Sequence, residues 1–405
     1  MTPGLRRYRL IAAVVVAASG LSGAAAAAPF IPSSDDVVLE HLPDAQDQAG
    51  RALRRQHTVL AHDPHNLELA LDLARADIDR ARATADPRWL GRAEAALAPW
   101  PLASPQSGNN APHTPASVIL LRAVILQSNH DFDHSLAALS QVLKREPRLA
   151  QAWLVRASVE QVRADYPAAL ADCGQLASLN WGLASDTCTA AVMSLTGHAP
   201  LALKALSLSL NRFPGEPDQT RLWALTLAAE IAGRLGDASA EQRFAQALAV
   251  DPSDPYLLGA WADWLLDRGR PIMVEQLLQD HTRADPLLLR LALAEQALGR
   301  SAAAVHIADL GARFEAGHLR GESIHQREEA RYCLFLLHQP EAALALAQAN
   351  WAVQREPADA RILAEAARAA GKPDAAAPVT AWLAANSVQD EALRTLLAPT
   401  HSSQD

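Results

Sequence analysis

The chain is predicted to be all-α, a row of short helix pairs stacked on one another, and three observations predict it. Half of its 405 residues are apolar, with alanine and leucine far ahead of β-branched residues, which is helix composition. Beyond the first thirty residues no long valine/isoleucine strand pattern appears. The apolar runs also stop and restart at regular punctuation. "RFAQALAVDPSDPYLLGAWADWLLDRGR" (243–270) stops at Asp251-Pro252, restarts, and stops again at Gly269, and "VLKREPRLAQAWLVRASVEQVRADY" (142–166) has the same grammar.

The first segment is set apart from the fold. Residues 1–27 combine Arg6, Arg7 and Arg9 with an apolar run and an A-x-A tail, the pattern of a cleavable export signal, with the cut expected near Ala27. The run is too short to span a bilayer comfortably, so no stable membrane insertion is expected once the signal is removed. No cysteine follows it to carry a lipid anchor. The mature chain is therefore expected to be periplasmic or secreted. Residues 28–43 read as an extended arm, and 44–101 as N-terminal helices including a divergent pair with a lengthened turn at Asp86-Pro87. The proline-rich stretch 102–115, "LASPQSGNNAPHTP" from Leu102, reads as a loop.

Residues 116–286 read as five repeats. Pro147, Trp181, Pro214, Pro252 and Pro286 recur at intervals near 34 and close successive units, since proline cannot extend a helix. Twenty-four residues before them lie Ala123, Ala157, Ala190, Ala228 and Ala262. Twelve before lie Ser135, Ala169, Ala202, Ala240 and Val274, and eight before lie Leu139, Cys173, Leu206, Phe244 and Leu278. Small residues at two fixed places let two helix backbones approach closely, and the bulky third position fills the remaining gap. A single pair cannot bury its apolar faces alone, so neighbours must stack. Residues 287–398 continue as looser pairs and a closing cap, interrupted by "EAGHLRGESIHQ" (315–326), and 399–405 form a polar tail.

On Ala157, Ala169, Leu170 and Trp181, on Ala190, Gly197, Ala202, Leu206 and Pro214, and on Ala228, Ala240, Phe244, Ala247, Leu248 and Pro252, the chain resembles the tetratricopeptide repeat (TPR) proteins. Ala262, Gly269 and Pro286 extend the likeness to a further unit. It departs where the first small position is Ala rather than the family's frequent Gly, and where Trp181 replaces Pro. The resemblance implies a right-handed superhelical solenoid that holds a protein or peptide in a concave groove formed by the first helix of each pair. By the period, that groove contains Leu120, Val124, Gln127, Leu154, Ser158, Gln161, Thr187, Ser194, Leu225, Tyr256 and Asp263. They are mostly apolar or neutral, which disfavours a clamp for a C-terminal carboxylate and suits an apolar helix or extended peptide.

Antiparallel helices joined by a short turn would bring Cys173 and Cys188 to one height, where a bridge can form; the alternative is three small buried thiols, Cys333 included. A second polar group, His325, Arg327, Arg331, Asn350, Gln354 and Arg355, reads either as a solvated face or as a ligand pocket.

Other functions find little footing. A net charge of −9 without a Lys/Arg cluster beyond pairs such as Arg54-Arg55 argues against nucleic acid. No phosphate loop, HExxH, CxxC or GxSxG is present, so no enzyme and no cofactor are expected. "SNHDFDHS" (128–135) puts His130 and His134 four apart beside carboxylates, but reads better as a turn followed by a capped helix than as a metal site. The function expected is an exported scaffold for protein–protein interaction. The alternative is an accessory factor that binds a small ligand or metal through its histidine-containing segments.

Overall fold

The computed structural model describes residues 34, 48–101, 114–320 and 326–398. The export signal, the arm 28–43 apart from Ser34, residues 102–113 of the polar loop, His325 and the tail lie outside these. Twenty α-helices and no strand occur among the described residues. They are α1 (Gln48–His62), α2 (Leu67–Thr84), α3 (Arg88–Ala96), α4 (Ala116–Ser128), α5 (Phe132–Arg145), α6 (Ala150–Val162) and α7 (Tyr166–Ser178). There follow α8 (Gly182–Met193), α9 (Ala199–Arg212), α10 (Asp218–Arg234), α11 (Ala240–Leu248), α12 (Pro255–Asp267), α13 (Pro271–Leu278), α14 (Asp285–Ala297) and α15 (Ala302–Leu319). Next, α16 (Gln326–Arg331) runs into a π-helical turn (Tyr332–Leu336), then α17 (Pro340–Val353) and α18 (Pro357–Ala369). A 3-10 turn (Pro373–Ala376) leads into α19 (Ala377–Asn386), and α20 (Glu391–Leu396) ends the described chain.

From α2 onward the helices pack as successive hairpins, α2 with α3, α4 with α5, and so on to α18 with α19. Each hairpin turns through one residue in the left-handed region: Ala85, His130, Ala164, Gly197, Gly236, Gly269, Gly299, His338 and Gly371. The proline markers fall between hairpins: Pro147 before α6, Pro214 before α10, Pro252 before α12 and Pro286 in the first turn of α14. Trp181 caps α8 in the same role.

The fifteen repeat positions read from the sequence form the interior. Ala123, Ala157, Ala190, Ala228 and Ala262, with Ser135, Ala169, Ala202, Ala240 and Val274, are at most 3% exposed. Leu139, Cys173, Leu206, Phe244 and Leu278 are at most 1% exposed. Ser135 reaches across its hairpin to donate from Oγ to the Ala123 carbonyl at 2.8 Å, so the two helices touch backbone to side chain.

The apolar clusters overlap along the row. One spans α2 to α6, the next α6 to α8, then α8 to α11, α10 to α12, α12 to α14, and α14 to α20. The first helices α6, α8, α10, α12 and α14 are therefore walls shared by two clusters, and first helices are buried on more than one side. Eight of 13 residues are buried in α4 and eight of 13 in α14. The second helices are one-sided: α11 buries only Ala240, Phe244 and Ala247, a single stripe. The all-α solenoid of stacked helix pairs follows from this sharing.

The row also returns on itself. α2 touches α12, and Ala85 packs against the cluster of α12 to α14. The C-terminal hairpins lie against the turns of α6 to α10: an added Cβ at Gly197 would sit 3.0 Å from Ser387 Cβ.

Two substitutions separate backbone strain from this contact. Gly299 has φ +66° with open space around it, so Gly299→Ala is expected to cost about 1 kcal/mol, the penalty of an L-residue in the left-handed region. Gly197 has φ +80° and meets Ser387, so Gly197→Ala is expected to cost more. Urea denaturation of both variants checks the order.

Candidate functional site

The charged residues of the C-terminal hairpins meet the first helices of the middle hairpins in one polar region. Its base is Asp263 on α12. Arg290, on α14, donates from Nη2 to Asp263 Oδ2 at 2.6 Å, and from Nε and Nη1 to the carbonyls of Gly259 and Pro286. Arg331, on α16, donates from Nη2 to Asp263 Oδ1 at 2.7 Å and from Nη1 to Oδ2 at 3.1 Å. Burial raises the Asp263 carboxyl, but the two guanidinium groups outweigh it and hold the group well below the usual carboxylate range. One carboxylate thus joins three helices of three different hairpins.

A second knot surrounds Asp359, which is fully buried near the start of α18. Asn350 Nδ2 and Gln354 Nε2 donate to its Oδ1 at 2.8 and 3.1 Å, and the Glu356 backbone N–H donates to Oδ2 at 2.8 Å. That last bond is half of a capping box, the reciprocal arrangement that starts α18 after Glu356. Arg327 Nη1 lies 3.5 Å from both Asp359 and Glu356 while its Nε donates to Glu328 at 3.1 Å. Three carboxylates share one guanidinium here. Burial and the nearby Asp359 push the Glu356 carboxyl up to about 7, against the opposing pull of Arg327.

Facing this knot are Glu230 on α10 and Tyr256 on α12, with the phenol donating to Glu230 Oε1 at 2.9 Å. Burial raises the Glu230 carboxyl, opposed by Arg234. Tyr256 is 64% exposed, yet Glu230, Glu356 and Arg327 all act electrostatically on its hydroxyl. Its ring therefore opens onto solvent while its hydroxyl faces the charged knot. Nearby, Arg234 Nη2 donates to Ser194 Oγ at 2.8 Å, and Arg361 on α18 grips Asp267 at the end of α12 with two bonds.

The residues predicted for a groove divide by burial. Leu120, Val124, Thr187, Ser194 and Leu225 are buried in packing between neighbouring hairpins, and Thr187 Oγ1 bonds its own helix at the Leu183 carbonyl. Gln127, Leu154, Ser158, Gln161 and Asp263 are half-buried, with Gln127 Nε2 donating to Ser158 Oγ at 2.8 Å across adjacent first helices. Tyr256 is the exposed member. Trp153, Trp223 and Trp261 are half-buried and pack against apolar clusters.

Of the predicted polar pocket, Arg327, Asn350 and Gln354 meet at Asp359, whereas Arg331 goes to Asp263. Arg355 contributes its backbone N–H, which donates to the Val162 carbonyl at 2.8 Å. Sequence reasoning did not bring in Arg290 and Glu230. A signal existed: each is a charge set directly among apolar residues of a first helix, in "LLLRLALA" and "TLAAEIAG".

His130 sits at φ +58° in a hairpin turn, stacked on Phe132, and His134 pairs with Asp131 at 2.8 Å. Among the described residues no group of three or more His, Cys, Asp or Glu is placed to hold a metal ion, and no helix is long and apolar enough to cross a membrane. Cys173 on α7 and Cys188 on α8 are joined in a disulfide with Cα atoms 5.6 Å apart, and Cys333 is a buried free thiol.

No family model matches the chain, and no curated protein matches it. Solved structures with some likeness include a tetratricopeptide repeat protein from Parabacteroides merdae ATCC 43184, at 12% identity and TM-score 0.35, covering 72% of this chain and 98% of that one. The APC/C hetero-tetramer Cut9–Hcn1 is 15% identical with TM-score 0.38, covering 87% and 86%. The P58(IPK) TPR domain is 14% identical with TM-score 0.21, covering 81% and 95%. Likenesses this slight carry no argument about function; the solenoid stands on its own hairpin contacts.

Two outcomes follow. Replacing Asp263 by Asn leaves Arg290 and Arg331 sharing a neutral group, so a loss of about 3 kcal/mol is expected in urea denaturation at pH 7. A bridge closing a fifteen-residue separation contributes about 3 kcal/mol in the chain-entropy account. Thiol titration of the denatured, unreduced protein is expected to find one thiol, that of Cys333; three would mean the bridge does not form.

Proposed function

We propose that this chain is an exported TPR-type scaffold that holds a protein or peptide partner against its concave face. The observation that carries this reading is Tyr256. It is a large aromatic side chain 64% exposed on a first helix, in a structure whose other large first-helix aromatics are half-buried in packing. Aromatic side chains of this kind anchor interfaces because they bury much area at little entropic cost. The half-buried positions Gln127, Leu154, Ser158 and Gln161 on α4 and α6 are neutral and suit an apolar segment rather than a charged one. Shared walls between hairpins hold that face rigid, so a partner meets a preorganised surface.

Export is supported by the basic and apolar pattern of residues 1–27, and the Cys173–Cys188 bridge agrees with an oxidising compartment.

The full chain is to be used as bait for periplasmic extract, beside the variant Tyr256→Ala. Polypeptides retained by the natural chain and weakened at least about tenfold by the variant, at unchanged helicity, are the expected outcome. Retention that is equal on both, or absent from both, would rule the reading out.

A further inference from the structure

A cleft lies between the second helices α9 and α11, where Arg221 and Leu225 of α10 also line it. Its volume is about 500 Å³, within the range that holds a small ligand. Second helices form most of its wall, so it is separate from the first-helix position that carries Tyr256.

Its charge runs against that of the chain. The chain carries 45 Asp and Glu against 36 Lys and Arg, yet among the described residues no carboxylate lines this cleft and two arginines do. Ser207, Asn211, Ser239, Gln242 and Gln246 supply neutral polar groups, and Leu210, Leu225 and Val250 supply apolar surface.

Both guanidinium groups are held by neutral partners. Arg243 donates from Nε to Ser239 Oγ at 2.9 Å and from Nη1 to Ser207 Oγ at 3.1 Å. Arg221 donates from Nη1 to the carbonyls of Phe213 and Pro214 at 3.3 and 3.5 Å. The neighbouring acids are engaged elsewhere. Glu241 pairs with Arg270 of the next hairpin at 2.9 Å. Asp237 acts on Arg243 electrostatically, but it accepts its hydrogen bond from the Ser239 N–H at 2.7 Å. Neither Arg221 nor Arg243 forms an ion pair among the described residues, and Nη2 of each keeps its donors for a ligand.

The two charges are also spaced. On the α9 side their contacts are Ser207 and Phe213, positions separated by roughly 9 Å along a helix that rises 1.5 Å per residue. We propose that this cleft binds a small organic dianion, with a carboxylate at each end and an apolar chain between. Each guanidinium takes one carboxylate through paired N–H donors, the strongest geometry open to arginine. The side-chain amides of Asn211, Gln242 and Gln246 offer further donors, and the chain of the ligand lies along Leu210, Leu225 and Val250.

Suberate, whose extended chain sets its carboxylates at about this separation, is the probe. Calorimetric titration of the full chain at pH 7 compares it with acetate and inorganic phosphate. The expected result is saturable binding of suberate, at least about tenfold tighter than either single-ended anion. Arg221→Gln and Arg243→Gln are each expected to weaken it at least about tenfold, at unchanged helicity. Arg243 also ties α11 to α9, so Gln246→Glu gives a second route: the position is exposed, both arginines stay, and a carboxylate enters the cleft. That variant is expected to weaken suberate about tenfold as well. Tyr256→Ala is expected to leave suberate binding unchanged, so this site and the partner face fail separately. Absence of saturable binding, equal affinity for acetate or phosphate, or an affinity unchanged in all three cleft variants would overturn the proposal.

Discussion

The close approach of two helix backbones inside each hairpin is the constraint on which the structure depends. Where Ala123 faces Ser135, or Ala228 faces Ala240, no larger side chain fits without pushing the helices apart. Once the pair is held this tightly, the bulky residue one turn on, Leu139 or Phe244, fills the space toward the next hairpin and sets where that neighbour sits. The geometry of each pair is thus passed along the row. The clusters overlap at α6, α8, α10, α12 and α14, so no hairpin has an interior that belongs to it alone.

Against this apolar continuity the charged region stands out. A charge buried in a first helix is costly, and Arg290 and Glu230 are retained there because each has partners contributed by other helices. Asp263 is stable as an anion between two guanidinium groups, whereas Glu356 and Asp359 compete for one. The two knots therefore answer pH in opposite senses: the first weakens in acid, the second in base.

How much of this was legible in the sequence depends on the range of the interaction. The small–small–large positions and the breaks at Pro147, Pro214, Pro252 and Pro286 are set within one repeat, so periodicity alone shows them. The turn role of His130 was legible for the same reason, since its place in the period is the one glycine holds at 269 and 299. The pairing of Asp263 with Arg331 was not, because 68 residues separate them and no period links them. The same holds for Trp382 and Tyr166, 216 residues apart. A groove face counted from one repeat also takes no account of what the returning chain covers. Of the groove residues counted in this way, Tyr256 stays open, while Ser194 is closed over by its neighbours.

The disulfide acquires a meaning that its own geometry does not reveal. In a linear array each hairpin is held only by its neighbours, so melting that begins at either end can travel from unit to unit. Cys173 and Cys188 lie in different hairpins, α6–α7 and α8–α9, and join them covalently where that traffic would pass. The bridge makes these four helices one cooperative block, a firebreak near the middle of the row.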